Sequence, residues 1–538
     1  MKTSDSLKNM TLRQKVCQML LPAFRNWVPG DPKSIPVQTM AHNLGERHFC
    51  GIIIFERNIK SLSDISEFMR RVDEENTLTG GLPYMFAIDQ EGGRVSRLVG
   101  GTRLAGNMAL GAAGDEDLAF ESAEVIGTEL SDVGFNLDFA PDMDVNDNPA
   151  NPVIGVRSFS DDPQIVSKLG CSFMKGLQAH GVMAVAKHFP GHGNTVVDSH
   201  IGLPVVDKSL EELRKTELVP FEAATGIADM IMTAHIQFPQ IEKEAYVSKE
   251  TGEMVFLPAT LSRKIITGLL REGMGYDGVV VTDDMCMGAI ARHFDPLDAA
   301  ALAINAGADI ILMPVNLSEP DGFRAIDEYI DGIVNMVENG AIPTGRIDES
   351  VGRILSLKEK YVESKNLTEK VDWTAHPDFA WKAALRSVTL LKNRVGLLPL
   401  SDQKTLVICS SVTAEKAVDY ALSLLGSRSN VDVVPDGHVI KEVESYDVCI
   451  VISDSKAGIR LPDGFAGKTI FVSSELPYDA ASATDYDAVL ACYGYVGGPN
   501  LSACICTIFG AGKPKGRLPV EITGPDGKVI WKRGFGLI

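Results

Sequence analysis

The first two thirds of the sequence contain eight short runs of β-branched and aliphatic residues, and this series restricts the fold most. Segments of helical pattern, such as 116–132 and 161–180, lie between the runs. Most runs are apolar throughout rather than alternating, which is typical of parallel strands buried on both faces. Eight such strands with intervening helices over about 350 residues predict a (β/α)8 TIM barrel with long loops. The candidate strands are 18–22, 51–55, 84–88, 136–140, 182–186, 229–233, 278–282 and 309–313.

A polar stretch after residue 360 separates this series from a second group of apolar runs. The chain has 538 residues, and a single core rarely grows past roughly 250 to 300 residues, so two domains are expected. The later runs indicate parallel strands of an open α/β sheet, preceded by a helix near 379–388. We predict a barrel at 1–360, a linker at 361–380 and a smaller α/β sandwich domain at 381–538. The later runs are 405–409, 448–453, 469–473 and 488–492.

Charge and composition exclude several partners. Lys and Arg total 51 and Asp and Glu total 71, which gives a formal charge of −20. A field of this sign repels phosphate backbones, so nucleic acid is not expected as a partner. No segment reaches the roughly 18 consecutive apolar residues of a membrane helix, so no membrane association is expected.

The cysteines and the first residues favour a cytoplasmic protein. The nine cysteines are an odd number and form no framework of short spacings, so we interpret them as free, mostly buried thiols. Residues 1–15 contain no apolar stretch of the kind a signal peptide needs. Cys504 and Cys506 form a C-x-C, which we interpret as buried strand residues rather than metal ligands.

Polar residues collect directly after the predicted strands. In a barrel of this type the active site is built on the loops at the carboxyl ends of the strands. Carboxylates, imidazoles, a lysine and arginines are therefore expected at one rim. These residues are Asp89, Arg97, Asp142, Asp144, Arg157, Lys187, His188, His192, Asp198, His200, His235, Asp283 and Asp284.

One group within this set is rich in hydrogen-bond donors. Asp89, Arg97, Arg157, Lys187 and His188 combine four donors with one carboxylate. Such a group suits a ligand with many hydroxyls, because Lys, Arg and His donate while Asp accepts from adjacent OH groups. The alternative is a salt-bridge network that only ties the loops together.

Asp198 and His200 are two residues apart. In an extended or loop segment this spacing turns both side chains to one side, so the carboxylate can accept from one ring nitrogen and leave the other free. Such a partner raises the basicity of the imidazole, which suits a group that gives a proton and later takes one back. The alternative is a loop Asp that caps a turn beside an unrelated His.

Asp283 closes the seventh apolar run and is expected to project from the end of a buried strand. A carboxylate there can attack an electrophilic carbon or bind a cation. The alternative is that Asp283 or Asp284 caps the following helix, because Asp is a favoured N-cap residue. With two consecutive Asp residues both interpretations can hold.

At these residues the sequence resembles glycoside hydrolase family 3, and within it the NagZ-type β-N-acetylglucosaminidases. The matching stretches in the first region are I-D-Q-E-G-G-R-V at 88–95, N-P-V-I-G-V-R-S-F at 151–159, K-H-F-P-G-H-G at 187–193, D-S-H-I-G-L-P at 198–204 and T-D-D-M at 282–285. The family's second domain is matched by S-V-T-L-L-K-N at 387–393, L-P-L at 398–400 and G-K-P-K-G-R-L-P-V at 512–520. The likeness covers nearly the whole chain.

The resemblance implies a role for each candidate residue. Asp283 would be the nucleophile, and His200, paired with Asp198, the acid and base of a retaining exo-β-N-acetylglucosaminidase. The five residues of the donor-rich group would hold the hydroxyls of the first sugar. Neither metal nor cofactor is implied. The partner would be a GlcNAc-containing oligosaccharide or muropeptide, either from peptidoglycan recycling or from chitin, and homodimerisation is left open.

One position departs from the family pattern. Many relatives have Asp where this chain has Asn194, directly after the G-H-G. This departure leaves open how the catalytic loop is held and what lies beyond the first sugar. Gly191 and Gly193 are expected to give that loop backbone freedom and nothing more specific.

Three alternatives to hydrolysis remain at this point. After the first step a neutral His200 repels an anion less than a carboxylate would, so phosphate could replace water in a β-N-acetylglucosaminide phosphorylase. A sugar-binding protein without turnover is disfavoured, because a binder needs neither a nucleophile nor a proton donor. A metal site is disfavoured because its H-x3-H spacing needs a helix, which Pro190 and two glycines oppose. Its ligands would be His188, His192, His200 and Asp283.

Overall fold

The computed structural model describes residues 7–196, 198–199, 202–317, 322–362, 372–426, 429–440, 442–454 and 460–538. We call residues 7–362 the first region and residues 372–538 the second region. Both are mixed α/β structures built around a largely parallel sheet. Of the predicted linker, residues 363–371 lie outside the described residues; the preceding helix runs to Val362 and the next begins at His376.

A strand overlaps each of the eight predicted runs of the first region, and the fifth extends three residues past its run. These strands are β1 (Leu20–Leu21), β2 (Gly51–Ile53), β3 (Met85–Ile88), β4 (Leu137–Asp138), β5 (Met183–Phe189), β6 (Met230–Thr233), β7 (Val279–Thr282) and β8 (Ile311–Leu312). Two antiparallel hairpins lie in the loops between them, Gln90–Gly92 with Val95–Ser96 and Ala245–Val247 with Met254–Phe256.

The strands of the first region form a curled parallel sheet. Six of them pair in the order β7-β6-β5-β4-β3-β2, and β1 pairs in parallel with β8. Backbone hydrogen bonds join this pair to both edges of the six, from Cys50 N to Leu20 O (3.2 Å) and from Thr282 N to Ile310 O (3.0 Å). All carboxyl ends therefore open to one side.

Helices cover the outside of this sheet, and all seven residues of β5 are buried. This two-sided burial explains why the strands are apolar throughout. The helices of the first region are α1 (Leu12–Gln18), α2 (Val37–Gly45), α3 (Leu62–Leu78), α4 (Asn107–Ala113), α5 (Glu116–Val133), α6 (Pro163–Ala179), α7 (Leu210–Leu213), α8 (Leu218–Ala224), α9 (Gly288–Ala291), α10 (Pro296–Ala306), α11 (Gly322–Glu338) and α12 (Thr344–Val362). The helices of the second region are α13 (His376–Ser387), α14 (Val412–Leu424) and α15 (Pro499–Ile508). A π-helical segment spans Lys264–Gly273, and 3-10 turns occur at Glu56–Asn58, Gly155–Arg157, Ala259–Leu261, Trp373–Ala375, Arg394–Gly396, Val443–Ser445 and Pro477–Ala483. In the described residues no helix is long and apolar enough to cross a membrane.

The second region contains a six-stranded sheet with one antiparallel edge strand. The strands are β9 (Thr389–Asn393), β10 (Thr405–Cys409), β11 (Val431–Pro435), β12 (Val448–Ser453), β13 (Lys468–Ser473) and β14 (Ala488–Ala491). Their order is β9-β14-β13-β12-β10-β11, and only the β9–β14 pairing is antiparallel. The four predicted runs are β10, β12, β13 and β14, while the edge strands β9 and β11 went unpredicted because they mix polar and apolar residues. A hairpin of Ile522–Thr523 and Val529–Trp531 lies beyond this sheet in the sequence.

The C-x-C prediction was wrong about secondary structure. Cys504 and Cys506 are buried free thiols, but they lie in helix α15, not in a strand. Nearly every residue of this helix is buried, so its sequence is apolar on all sides and shows no amphipathic period. Pro499 at the first helical position is the start signal that a strand would not need.

Side-chain contacts connect the two regions at several points. Arg533 Nη1 lies 2.7 Å from Asp161 Oδ1, and Asn500 Nδ2 donates to the carbonyl of Ala105 at 3.2 Å. The hydroxyl of Tyr478 accepts from Asn146 Nδ2 at 2.7 Å. Because Asn146 belongs to the loop after β4, the second region directly supports one of the loops at the carboxyl ends of the first sheet.

Candidate active site

Six of the eight predicted site residues line one cavity at the carboxyl ends of the first sheet. The cavity measures about 170 Å³. It is lined by side chains at the end of β5 and by side chains that come after β3, β4 and β7, as expected for the loop face of a parallel sheet. The six residues are Asp89, Arg97, Arg157, Lys187, His188 and Asp283.

Of the proposed acid and base pair, the structure describes Asp198 alone. His200 lies outside the described residues. Asp198 is half-buried on the same loop, and its neighbour Ser199 lines the cavity. The hydroxyl of Ser199 lies 3.1 Å from His192 Nε2, so this loop passes the cavity wall at the position that precedes His200.

The buried carboxylate of Glu91 pairs with two cations in the cavity. Its carboxylate accepts from Arg157 Nε (2.9 Å) and Nη2 (2.7 Å), and its Oε1 lies 2.7 Å from Lys187 Nζ. Lys187 also donates to Asp89 at 3.0 Å. Burial alone would raise the pKa of Glu91, but the two cations hold it well below its usual value. The two cations are thereby fixed in place.

A second layer of carboxylates lies beneath His188. Asp144 Oδ2 lies 2.8 Å from His188 Nδ1, which leaves the other ring nitrogen of His188 for the cavity. Burial raises the pKa of Asp144 to about 6 and lowers that of His188 to about 4. The pKa of Asp142 is also raised, by burial and by the charge of Asp144. His188 is therefore neutral at pH 7 and oriented by a carboxylate.

The contacts of this layer bear on the metal alternative. Ligand atoms of Asp142, Asp144 and His188 lie within 4.8 Å of one another, but Arg157 Nη2 lies 3.5 Å from Asp142 Oδ2 and supplies a cation there already. Both ring nitrogens of His192 are engaged, by Thr195 Oγ1 at 2.9 Å and by Ser199. His192 therefore has no ring nitrogen to offer to a metal.

A tight turn after β7 presents Asp283. Its backbone N–H donates to Thr233 O at 3.2 Å, and its Oδ1 accepts from Asp284 N at 2.8 Å. His235 supports the turn through Nε2, which lies 3.0 Å from Asp284 O. Asp284 accepts from Cys286 N at 2.8 Å and so closes the turn itself, whereas α9 begins later, after Met287. Both residues line the cavity, and of the two it is Asp284 that closes the turn.

The loop after β5 is held through its backbone. Asn151 Nδ2 donates to the carbonyls of His192 (2.8 Å) and Gly193 (2.9 Å), and Asn148 Nδ2 donates to Asn194 O at 3.2 Å. These bonds use carbonyls, so they do not depend on Asn or Asp at position 194. Gly193 does more than we expected, because an added Cβ would collide with the carbonyl of Val145.

Three residues of the site were missed as site members by the sequence reasoning. Glu91 stands two positions after Asp89, a spacing that puts alternate residues on one side of an extended chain. Asp144 stood among the polar residues after the fourth strand, but nothing linked it to His188. Arg25 lines the cavity with its guanidinium 4.7 Å from the ring centre of Phe55 and 3.3 Å from Asp284 Oδ2, and no sequence signal marked it.

Comparisons with known proteins identify relatives of this chain. Residues 11–357 match the family described as "Glycosyl hydrolase family 3 N terminal domain". The chain is 33% identical over 533 residues to Beta-hexosaminidase A of Pseudoalteromonas piscicida, covering 88% of this chain and 89% of that protein.

Solved structures resemble this chain over nearly its whole length. A glycoside hydrolase family 3 beta-N-acetylglucosaminidase from Paenibacillus sp. str. FPU-7 superposes with a TM-score of 0.80 at 33% identity, covering 96% of this chain and 99% of that chain. Beta-glucoside phosphorylase BglX bound to 2FGlc has a TM-score of 0.80 at 22% identity, covering 96% of each chain. At that identity the second likeness concerns the fold alone.

Proposed function

The chain belongs to glycoside hydrolase family 3, and from this premise we propose that it is a retaining exo-β-N-acetylglucosaminidase. It is a glycoside hydrolase of the beta-hexosaminidase type. The observation that carries the finer proposal is the convergence of Asp283 and five predicted sugar-binding side chains on one cavity. We further propose that the first sheet closes as a (β/α)8 barrel at 1–360, joined by a linker at 361–380 to an α/β sandwich domain at 381–538.

The proposed substrate is a chain that ends in GlcNAc. Lys187, Arg157 and Asp89 would hold hydroxyls of the terminal sugar, and Glu91 fixes the two cations before the sugar binds. Such preorganised groups need no rearrangement on binding. The neutral His188 would offer its free ring nitrogen to the same sugar.

The proposed reaction has two steps. His200 gives a proton to the glycosidic oxygen while Asp283 attacks the anomeric carbon, so the aglycone leaves and a glycosyl ester forms on Asp283. His200 then takes a proton from water, which attacks the same carbon and releases the sugar with its β configuration retained. Asp198 would orient and charge-stabilise His200 in both steps.

Phosphate as the acceptor is less well supported. An incoming phosphate would depend on the cations Arg157, Lys187 and Arg97, and two of them are already paired with Glu91. The charge of −20 adds no general attraction for anions.

A product assay tests the proposal. Nitrophenyl β-GlcNAc is incubated with and without inorganic phosphate, and the sugar product is identified by NMR directly after cleavage. We expect β-GlcNAc in both cases. GlcNAc 1-phosphate as the main product would replace hydrolysis with phosphorolysis, and α-GlcNAc formed first would exclude retention. A panel with GlcNAc-anhydro-MurNAc and chitin oligosaccharides then identifies the preferred aglycone.

A further inference from the structure

A second cleft, larger than the catalytic cavity, lies where the first and second regions meet. It measures about 840 Å³, and none of its lining residues lines the catalytic cavity. Its walls are the loop at residues 100–103, the start of α13, one face of α14 and the chain that leads into α15. This volume is within the range of about 300 to 1,000 Å³ that ligand sites occupy.

One face of helix α14 is uncovered in this cleft. Thr413, Lys416, Tyr420 and Leu424 recur at spacings of three or four, which places them on one side of the helix. Tyr420 is 56% exposed and Leu424 is 53% exposed. Trp381, half-buried on α13, lines the same cleft. Two aromatic side chains are therefore available to a ligand.

Polar groups without a protein partner accompany these rings. In the described part of the chain, the side chains of Lys416, Asp378 and Thr413 form neither a hydrogen bond nor an ion pair. Lys416 is a donor, Asp378 is an acceptor and Thr413 can act as both. Arg103 adds a guanidinium whose Nη1 donates to Ser96 O at 3.3 Å. Charges of both signs favour a neutral ligand with many hydrogen-bonding groups.

Two walls of the cleft are fixed by one buried carboxylate. Glu129 accepts from Thr102 N at 2.9 Å and from Thr102 Oγ1 at 2.5 Å, and its Oε1 lies 2.8 Å from His376 Nδ1. Thr102 belongs to the loop wall, and His376 directly precedes the α13 wall. The cleft is thus formed before any ligand binds, which lowers the entropic cost of binding.

The loop wall also leads back to the catalytic cavity. Arg97 lines the cavity and Arg103 lines the cleft, six residues apart on one loop. Gln90 Oε1 accepts from the backbone N–H groups of Arg97 (2.6 Å) and Leu98 (3.0 Å). The segment between the two sites is therefore held at both ends.

We infer that this cleft is a second carbohydrate-binding site, which takes a neutral oligosaccharide of GlcNAc units. Pyranose rings offer flat C–H surfaces to aromatic side chains and alternate them with hydroxyls and amides, which Lys416, Asp378 and Thr413 can pair. An acidic glycan would match Lys416 and Arg103 but would be repelled by the carboxylate of Asp378. The choice of GlcNAc as the sugar rests on the proposed function, whereas the cleft itself does not.

The test is a calorimetric titration of the full-length Asp283→Asn protein with the GlcNAc hexamer. Saturating GlcNAc monomer is present to occupy the catalytic cavity. We expect one remaining binding event per chain. In the double variant with Trp381→Ala and Tyr420→Ala, the affinity should fall by about tenfold or more, because both flat ring surfaces are removed; tenfold corresponds to about 1.4 kcal/mol. Lys416→Gln should weaken it by a smaller factor.

Phe535→Ala is the matched control, because it removes an exposed ring outside both sites. Its affinity for the hexamer should equal that of the parent, and thermal melting of every variant checks the fold. No binding in the presence of the monomer, equal affinity in the double variant, or binding of only peptide-linked or acidic glycans would overturn the proposal. Chromatography of each mixture reports hexamer cleavage separately, so a wrong role for Asp283 is distinguishable from an empty cleft.

Discussion

The two parallel sheets of this molecule differ in the residues at the carboxyl ends of their strands. In the first region the carboxyl edge carries buried or half-buried charges, among them Glu91, Lys187 and Asp283. In the second region β12 and β13 end in Ser453 and Ser473, and the carboxylates that directly follow strands there, Asp436 and Asp454, are exposed or half-buried. Similar backbone architecture therefore carries buried ion pairs at one edge, and hydroxyls with more accessible carboxylates at the other.

The fold therefore determines where a site can form, at the carboxyl ends of the strands, and the residue types at those ends determine its chemistry. Charges at the first edge are desolvated, and Glu91 and Lys187 persist there because each has a partner of opposite sign. Substitutions among the buried charges of the first edge should therefore change turnover, substrate binding or pH dependence, whereas those in the second region should change stability or glycan binding.

The largest effect is expected from Asp283→Asn. The amide cannot attack the anomeric carbon, so kcat should fall by about 10⁴-fold or more, while GlcNAc binding is retained. The measurement is kcat with nitrophenyl β-GlcNAc together with calorimetric binding of GlcNAc.

Asp284→Asn is the matched control, because Asp284 lies one residue further and closes the turn through Cys286 N. An Asn side chain can still accept this bond, so the loss in kcat should be far smaller. Equal losses in the two variants would remove the distinction between nucleophile and turn residue.

The second effect, on stability and on KM, is expected from the buried carboxylate of Glu91. Glu91→Gln leaves Arg157 and Lys187 without their shared carboxylate, and breaking a buried ion pair typically costs about 3 kcal/mol or more of unfolding free energy. We also expect a higher KM, because the two cations lose their fixed positions. Urea unfolding and steady-state kinetics measure the two changes.

Glu242→Gln gives the comparison for a carboxylate outside the cavity. Glu242 is also buried, but its partner Lys264 is 56% exposed and can turn to water when the charge is removed. Its cost in stability should be smaller and KM should not change. An unchanged KM in Glu91→Gln would show that the ion pairs of Glu91 with Arg157 and Lys187 serve stability alone.

The third effect is a difference in pH dependence. Burial lowers the pKa of His192 to about 3 in the folded protein, against about 6.5 when unfolded. Only the unfolded chain binds this proton as the pH falls below 6.5, so the stabilising contribution is present above pH 6.5 and is lost toward pH 3. His192→Gln should make the unfolding free energy fall less steeply, by about 1.4 kcal/mol per pH unit between pH 6 and 4.

Asp144 acts in the opposite direction, because its pKa is raised to about 6 and the folded protein binds that proton first. Asp144 is present in both His192→Gln and the parent, so the difference between their unfolding free energies reports the histidine alone. His438→Gln, at an exposed position of the second region, is the control for replacing a histidine that is not buried. A parallel shift of both variants would show that burial is not the cause.

The smallest effect tests whether the second region supports the site. Tyr478→Phe removes one hydrogen bond, to Asn146, and should cost about 1 kcal/mol. If the loop after β4 depends on this contact, kcat/KM falls slightly as well. Unchanged stability and activity would leave the second region without a measurable role at this loop.

The sequence predicted the strands of the first region better than the rest of the fold. Strands buried on both faces are apolar throughout, so runs such as 182–186 and 278–282 stand out. The edge strands β9 and β11 gave no such signal because each mixes polar with apolar residues, such as Lys392 in β9 and Asp432 in β11. Cys504 and Cys506 were misassigned because a helix buried on all sides loses its period.

Some residues of the candidate site could be predicted from the sequence, but the contacts between them could not. Asp89, Lys187 and Asp283 could be predicted, because each directly succeeds or ends an apolar run. The bonds of Glu91 to Arg157 and of Asp144 to His188 could not, since they join loops that are 66 and 44 residues apart. Pairing across such distances depends on tertiary packing, which local pattern does not encode. The pairing of Asp198 with His200 stays a prediction.

The contacts between the two regions limit how freely this protein can be recombined. Arg533, Asn500 and Tyr478 meet specific partners at Asp161, Ala105 and Asn146. A chimera that took its second region from a relative would have to bring matching residues on both sides. Without them the loop after β4 would lose its support, even if each half folded well by itself.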